Sequence, residues 1–213
     1  MPELVFDCLG AQPDRYAVGP TLLFRLRIAE TTGAKVTAIA LRCQLRIEPT
    51  RRRYTPAEEE ALEDLFGHPS RWGDTLKPLQ LTYVTQMVPG FTGSVEVDLP
   101  VPCSYDLEVA TGKYFAGLDD GNIPLLMLFS GTVFSKGDTG FSVQQVPWDK
   151  EERYPLPVAV WREMMDLFFP GSGWLRLTTD TLEALGRFKS KRALVSFDEA
   201  LQRLLKEAGE DGG

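Results

Sequence analysis

The chain has 213 residues, 43% of them hydrophobic and 25% charged, and its 23 basic and 30 acidic side chains give a formal net charge of -7. This composition excludes wholesale disorder, and a folded chain of this length buries enough surface to need no disulfide or metal staple. The negative charge argues against nucleic acid and anionic lipid as partners, because both would be repelled.

Neither the N-terminus nor the cysteine pattern indicates export. The first residues lack the basic and apolar regions of a signal peptide, and no apolar run approaches the roughly 18 residues of a membrane span. Cys8, Cys43 and Cys103 are odd in number and show no CxxC spacing, which favours free thiols in a reducing compartment. We therefore expect a cytoplasmic protein with no membrane span, no metal and no cofactor.

The first two thirds of the chain alternate apolar and polar side chains, which is typical of strands with one buried face. The clearest example is ALRCQLRIEP at residues 40–49, where Leu41 and Cys43 point one way and Arg42 and Arg46 the other. Two strands are predicted before it, at residues 4–8 and 22–28, and further strands at QLTYVTQMV, SVEVDL, CSYDLEVA, IPLLMLFSGTVF and FSVQQV.

One helix is predicted between these strands, at about residues 56–66. Thr55 and Glu58 form a capping box with Pro56 at the first helical position, and Gly67 can end the helix. About eight strands with short turns and no alternating helices favour an antiparallel β-sandwich or open barrel.

After Pro147 the apolar spacing becomes helical, and three helices are predicted at PVAVWREMMDLFF, TLEALGRFKSK and FDEALQRLLKEAG. The predicted fold is therefore mainly β with C-terminal helices, of the α+β class. We expect a sandwich domain at residues 1–148 that contains the inserted helix, and a helical extension at residues 149–209 docked on it as a cap.

The C-terminal segment has a surplus of large apolar side chains. Packing on the sandwich is the favoured explanation, and a surface for another protein or for self-association is the alternative, because aromatic residues and methionine are enriched in interface cores. The candidate interface residues are Trp161, Met164, Met165, Phe168, Phe169 and Trp174.

The arginine-rich segment is a second candidate site. Outward arginines are predicted on two adjacent strands, facing carboxylates of later strands; the residues are Arg25, Arg27, Arg42 and Arg46 on one side and Glu96, Asp98, Asp106 and Glu108 on the other. A charge-paired sheet face is favoured over a dedicated anion site. The turn that follows adds arginines with no structural reason, so the candidate binding residues are Arg42, Arg46, Arg51, Arg52 and Arg53.

Catalysis has little support in the sequence. His68 is the single histidine, no GxSxG elbow or P-loop is present, and all three cysteines fall on the inward side of their predicted strands. A catalytic or zinc site that joins His68 to a cysteine is the least favoured alternative. We therefore name no catalytic residue and no metal ligand.

The sequence resembles a bacterial family known only as a domain of unknown function, at ALRCQLRIEP, LFGHPSRWGDTL and the run from VPGFTGSVEVDL to LLMLFSGTVF. Its genes lie near those for uptake nickel–iron hydrogenases, so the resemblance implies an accessory role and no catalytic residues. We expect a non-enzymatic accessory or protein-interaction module, and the resemblance implies an association with a hydrogenase system. The alternative is a protein that binds a small anionic ligand on the arginine-rich sheet face.

Overall fold

The structure is a computed structural model that describes residues 2–103, 109–137, 140–171 and 175–210. Its strands are Leu4–Pro13 (β1), Thr21–Glu30 (β2), Val36–Ile47 (β3), Leu79–Phe91 (β4), Ser94–Pro102 (β5), Asn122–Gly137 (β6), Gly140–Gln145 (β7) and Glu151–Pro157 (β8). Its α-helices are Pro56–Ala61 (α1), Glu63–Phe66 (α2), Trp72–Thr75 (α3), Val109–Ala116 (α4), Val158–Phe168 (α5), Thr179–Lys191 (α6) and Phe197–Ala208 (α7).

The chain divides into two compact units, residues 1–171 and residues 172–213. The first unit contains two antiparallel sheets, one with the order β1-β2-β5 and one with the order β4-β3-β6-β7, in which β8 also pairs with β6. The described strands form open sheets and not a closed barrel. The predicted fold class, mainly β with an antiparallel sandwich and C-terminal helices, is confirmed.

Two expectations about the strands are wrong. The second and third strands are not adjacent: β2 pairs with β1 and β5, whereas β3 pairs with β4 and β6 in the other sheet. The segment CSYDLEVA does not end as a strand, because Val109 and Ala110 begin α4, while residues 104–108 lie outside the described part of the chain.

The core lies between the two sheets and contains the inward side chains of both. The rings of Phe6 on β1 and Phe129 on β6 stack with centroids 4.3 Å apart, and Phe24 on β2 meets Tyr154 on β8 edge to face at 5.9 Å. Such aromatic contacts add to the free energy of burial. The alternation seen in the sequence therefore identified the buried faces correctly.

The inserted segment is helical, but two short helices, α1 and α2, replace the single helix predicted at about residues 56–66, and α3 follows them. The capping box is present, since Thr55 accepts a hydrogen bond from the amide of Glu58 and Glu58 from that of Thr55. The helix breaks at Leu62, which is fully buried, and Gly67 ends α2 with a φ of 74°.

The sandwich unit extends beyond residue 148, where the sequence placed its end. Strand β8 pairs with β6 so that Tyr154 lies opposite Leu125. Met164 on α5 is completely buried in the core. Both elements therefore belong to the first unit.

The second unit contains α6 and α7, which pack against each other. Ser196 caps α7, and Gly209 ends it in the left-handed conformation. Nη1 of Arg192 lies 2.6 Å from Oε1 of Glu207, which forms a salt bridge. Docking of the terminal helices on the sandwich stays a prediction. Among the helices in the described residues, none has both the length and the apolar character needed to cross a membrane.

Candidate functional site

The outward arginines of the two sheets lie in different environments. Arg25 and Arg27 on β2 are paired with carboxylates of their own sheet: Arg25 Nε lies 3.1 Å from Asp98 Oδ1, and Arg27 Nη2 lies 2.9 Å from Asp7 Oδ2. The pairing of Arg25 with Asp98 agrees with the sequence prediction, whereas Arg27 pairs with Asp7 on β1 and not with a carboxylate of a later strand. Both arginines are separate from Arg42 and Arg46, because β2 and β3 belong to different sheets.

The sheet that holds Arg42 and Arg46 has an unusual charge pattern. Strands β3, β4, β6 and β7 contain no aspartate or glutamate, and the acidic residues of this sheet are Glu151 and Glu152 on its fifth strand, β8. Among the described residues, neither Arg42 nor Arg46 forms an ion pair, whereas Arg25 and Arg27 both do. Asp106 and Glu108, expected as partners from the sequence, lie outside the described residues.

We call the outward surface of β3 and β4 the Arg42 face and define it by Arg42, Gln44, Arg46, Tyr83 and Met87. Gln44 is opposite Tyr83 in the strand register, and Ala40 is opposite Met87. Residues directly opposite each other in an antiparallel pair point to the same side of the sheet. Tyr83 is 45% exposed and Met87 is 63% exposed, so large side chains meet the solvent here.

The polar groups of the Arg42 face form a connected row. The guanidinium carbon of Arg42 lies 4.6 Å from the centre of the Tyr83 ring, a cation–π distance. In the amide orientation that satisfies its neighbours, Gln44 accepts hydrogen bonds from the Tyr83 hydroxyl and from Nε of Arg46, both at 3.0 Å. Arg42 and Arg46 are thus oriented by neighbours that leave their positive charges uncompensated.

The arginines of the following turn have three different environments. Arg52 has a structural role that the sequence did not reveal: its side chain is only 8% exposed and forms a salt bridge with the buried Glu58. Arg52 also donates to the backbone oxygens of Asn122 and Asp120, at 3.0 and 2.8 Å. Arg51 lies 2.7 Å from Glu48. Exposed Arg53 has no ion pair within the part of the chain that the structure describes.

A groove of about 550 Å³ runs beside this turn. Its lining carries three arginines and three carboxylates. The lining residues are Arg51, Arg52, Arg53, Thr55, Glu58, Asp119, Asp120, Gly121, Asn122, Pro124 and Pro155. Because the opposite charges balance, the groove lacks the positive potential that an anion site requires.

The apolar surplus of α5 is mostly core. Trp161 and Met164 are 7% and 0% exposed, so they pack in the first unit and are not accessible to a partner, which corrects their assignment as interface residues. Met165 and Phe168 are partly buried against the same core, and Phe169 is half-buried. An interface role for these three stays a prediction, and Trp174 lies outside the described residues.

In the described part of the chain, the residues considered for catalysis form no hydrogen bond with one another. Burial raises the pKa of Cys8, Cys43 and Cys103 to about 12, so their thiols are protonated and unreactive at neutral pH. His68 is exposed and its Nδ1 lies 2.9 Å from Ser70 Oγ, a local contact at the start of a 3-10 turn. Among the described residues, no group of three or more His, Cys, Asp or Glu side chains could hold a metal.

Sequence reasoning missed Tyr83 and Met87 as candidate site residues. Both were placed on a predicted strand, but their position beside Arg42 and Gln44 depends on the pairing of β3 with β4. The lack of acidic residues in four strands was visible in the sequence and is the signal that could have indicated this face.

Comparison with known proteins yields one match over the whole chain. A model described as a family of unknown function (DUF6084) matches residues 1–212. A search of curated proteins finds no match.

Similar solved structures include the β-glucosidase from Kluyveromyces marxianus, at 9% identity and a TM-score of 0.25, and β-glucosidase 3B from Thermotoga neapolitana in complex with α-D-glucose, at 14% and 0.24. Each alignment covers 72% of this chain but only 15% and 17% of the respective glucosidase chains. At these scores the likeness carries no argument.

Proposed function

Since the chain belongs to DUF6084, a family of unknown function, we propose a function from its own surface: a non-enzymatic protein-interaction module that binds a protein partner on the Arg42 face. The observation that carries the proposal is the exposed outward surface of β3 and β4, which has no acidic side chain and on which Tyr83 and Met87 meet the solvent beside Arg42 and Arg46.

The composition of this face supports an interface. Tyrosine, methionine and arginine are enriched in the buried centres of protein interfaces, whereas aspartate, glutamate and lysine are depleted. The outer face of the other sheet provides an internal comparison, because it carries Asp7, Glu96 and Asp98 and pairs its arginines with carboxylates. That second face has the composition of an ordinary solvated surface.

Site-specific photo-crosslinking tests this proposal in living cells. A photoreactive amino acid at Met87 on β4 should form a defined adduct with one protein, whereas the same amino acid at Val5, which is 41% exposed on the other sheet, should not. Substituting Tyr83→Ala in the Met87 background should reduce the adduct. Equal crosslinking from Met87 and Val5 would contradict the proposal.

Binding of a small anionic ligand is the second candidate function. Arg42 and Arg46 support it, because among the described residues neither has a carboxylate partner. An open sheet face suits an extended protein segment better, since small-molecule sites are concave. A metabolite that raises the melting temperature, with the shift lost in Arg42→Glu/Arg46→Glu, would favour the small ligand.

The partner and the compartment are the remaining parts of the proposal. Three free cysteines support a cytoplasmic location. The sequence resemblance suggests a component of a hydrogenase system as the partner. Identification of the Met87 adduct by mass spectrometry tests both points, because the captured protein has a known compartment and either belongs to such a system or does not.

A further inference from the structure

We propose that the segment bound on the Arg42 face is acidic and extended, and that Arg42 binds one of its carboxylates through two parallel hydrogen bonds. The inference rests on the proposed function, because it specifies the chemistry of the partner at the same surface.

Arg42 is held in a geometry suited to a carboxylate. Its guanidinium carbon lies 4.6 Å from the centre of the Tyr83 ring, and among the described residues its N–H groups have no hydrogen-bond acceptor. A guanidinium has five N–H donors in a fixed planar arrangement that matches the two oxygens of a carboxylate. Arg42 is exposed and has no acidic partner within the described residues, so these donors are open to a partner.

Arg46 provides a second positive charge on the same strand. Arg42 and Arg46 are four positions apart on β3, so their Cα atoms are separated by about 13 Å at the usual rise of an extended chain. Gln44 lies between them and fixes Arg46 by accepting its Nε–H at 3.0 Å. An extended partner segment with two acidic residues four positions apart has the same spacing.

The charges of the whole chain favour an acidic partner at this face. The net charge is -7, so most of the surface repels an acidic segment, whereas β3, β4, β6 and β7 have no acidic residue to do so. Glu151 of β8, on the same side of the sheet as Gln44, is neutralised by Arg153 at 2.5 Å. An acidic segment that is attracted to the Arg42 face and repelled by the rest of the surface binds at one place and in one orientation. Two arginines are too few for the multiple phosphate contacts on which affinity for nucleic acid depends.

Selection from a random peptide library tests the inference directly. The library is selected on the full chain, on the double variant Arg42→Gln/Arg46→Gln and on the matched control Arg25→Gln/Arg27→Gln, which removes the same two charges from the other sheet. We expect the wild type and the control to enrich peptides with acidic residues four positions apart. The Arg42/Arg46 variant should lose this enrichment.

The best enriched peptide is then synthesised together with a twin in which Asp and Glu are replaced by Asn and Gln. We expect the acidic peptide to bind the wild type at least about tenfold more tightly than the twin. The Arg42/Arg46 variant should bind both peptides equally.

The possible failures are distinguishable. If Met87→Glu abolishes peptide binding but enriched peptides have no excess of acidic residues, the face binds protein and the acidic inference is overturned. If no enriched peptide responds to Met87→Glu, the proposed function fails as well. If a single-stranded oligonucleotide binds as tightly as the acidic peptide, the acidic inference is overturned in favour of nucleic acid. If the protein self-associates and the Arg42/Arg46 variant does not, it is overturned in favour of a second copy of the chain.

Discussion

At the scale of single residues, three consecutive arginines show how location decides the role of a side chain. Arg51 forms a half-exposed pair with Glu48, Arg52 is buried with Glu58, and Arg53 is exposed. Arg52 also binds the backbone near Asp120 and Asn122, so one guanidinium connects the turn, the start of α1 and the segment before β6. A surface-binding role therefore does not fit Arg52.

Replacing Arg52 by methionine should strongly destabilise the protein. The substitution leaves Glu58, whose side chain is 1% exposed, as an unpaired buried charge. Loss of one partner of a buried ion pair costs about 3–5 kcal/mol in the free energy of unfolding. Urea denaturation followed by circular dichroism measures this change.

Arg51→Ala is the matched control for Arg52. Its side chain is 53% exposed, and its partner Glu48 also has Nε of Arg153 at 3.4 Å, so we expect a change below about 1 kcal/mol. Equal destabilisation by the two substitutions would show that the burial of Arg52 has no energetic consequence.

At the scale of elements, β6 has two halves that pair with different strands. Its first half, up to Leu128, pairs with β8, and its second half, from Thr132, pairs with β7. Gly131 lies at the junction with a φ of 138°, a conformation that residues with a side chain rarely adopt. A Cβ at this position would lie 2.1 Å from the carbonyl oxygen of Ala40 on β3.

Substituting Gly131→Ala should therefore disturb the five-stranded sheet. We expect a loss of at least about 2 kcal/mol in the free energy of unfolding, from backbone strain and the clash with β3. Gly10→Ala is the control, because a Cβ there meets no atom within 4 Å. Thermal unfolding of both variants gives the comparison, and similar melting temperatures would contradict the expectation.

At the scale of the whole molecule, stability and the proposed binding both depend on the first unit. Every residue of the main hydrophobic cluster lies between Leu4 and Phe168, and the Arg42 face is formed by β3 and β4. The second unit has its own helix caps and ion pairs. Neither the core nor the proposed site therefore requires residues after Gly171.

A chain that ends at Gly171 should fold and keep the proposed interaction. We expect one cooperative thermal transition, a circular dichroism spectrum dominated by β structure, and the same crosslinked adduct from Met87 as in the full chain. Loss of the cooperative transition would show that the terminal unit is needed for folding. A folded truncation without the adduct would instead assign part of the binding site to the terminal unit.

The sequence by itself determined the local features of this protein. The alternation around Leu41 and Cys43, the capping box at Thr55 and Glu58, and the helical spacing after Pro147 are all encoded within a few residues, because side-chain direction and capping depend on near neighbours. These signals were sufficient for the fold class and for the inward and outward sides of β3.

Only the tertiary structure decided which residues share a surface. Arg25 and Arg42 have the same outward pattern, yet β2 and β3 lie in different sheets, so one arginine is paired with Asp98 and the other lies over Tyr83. Likewise, Arg52 became structural because the chain folds back to bring Asp120 and Asn122 to it. Strand order and ion-pair partners arise from contacts between residues far apart in the chain, and periodicity within a segment holds no information about them.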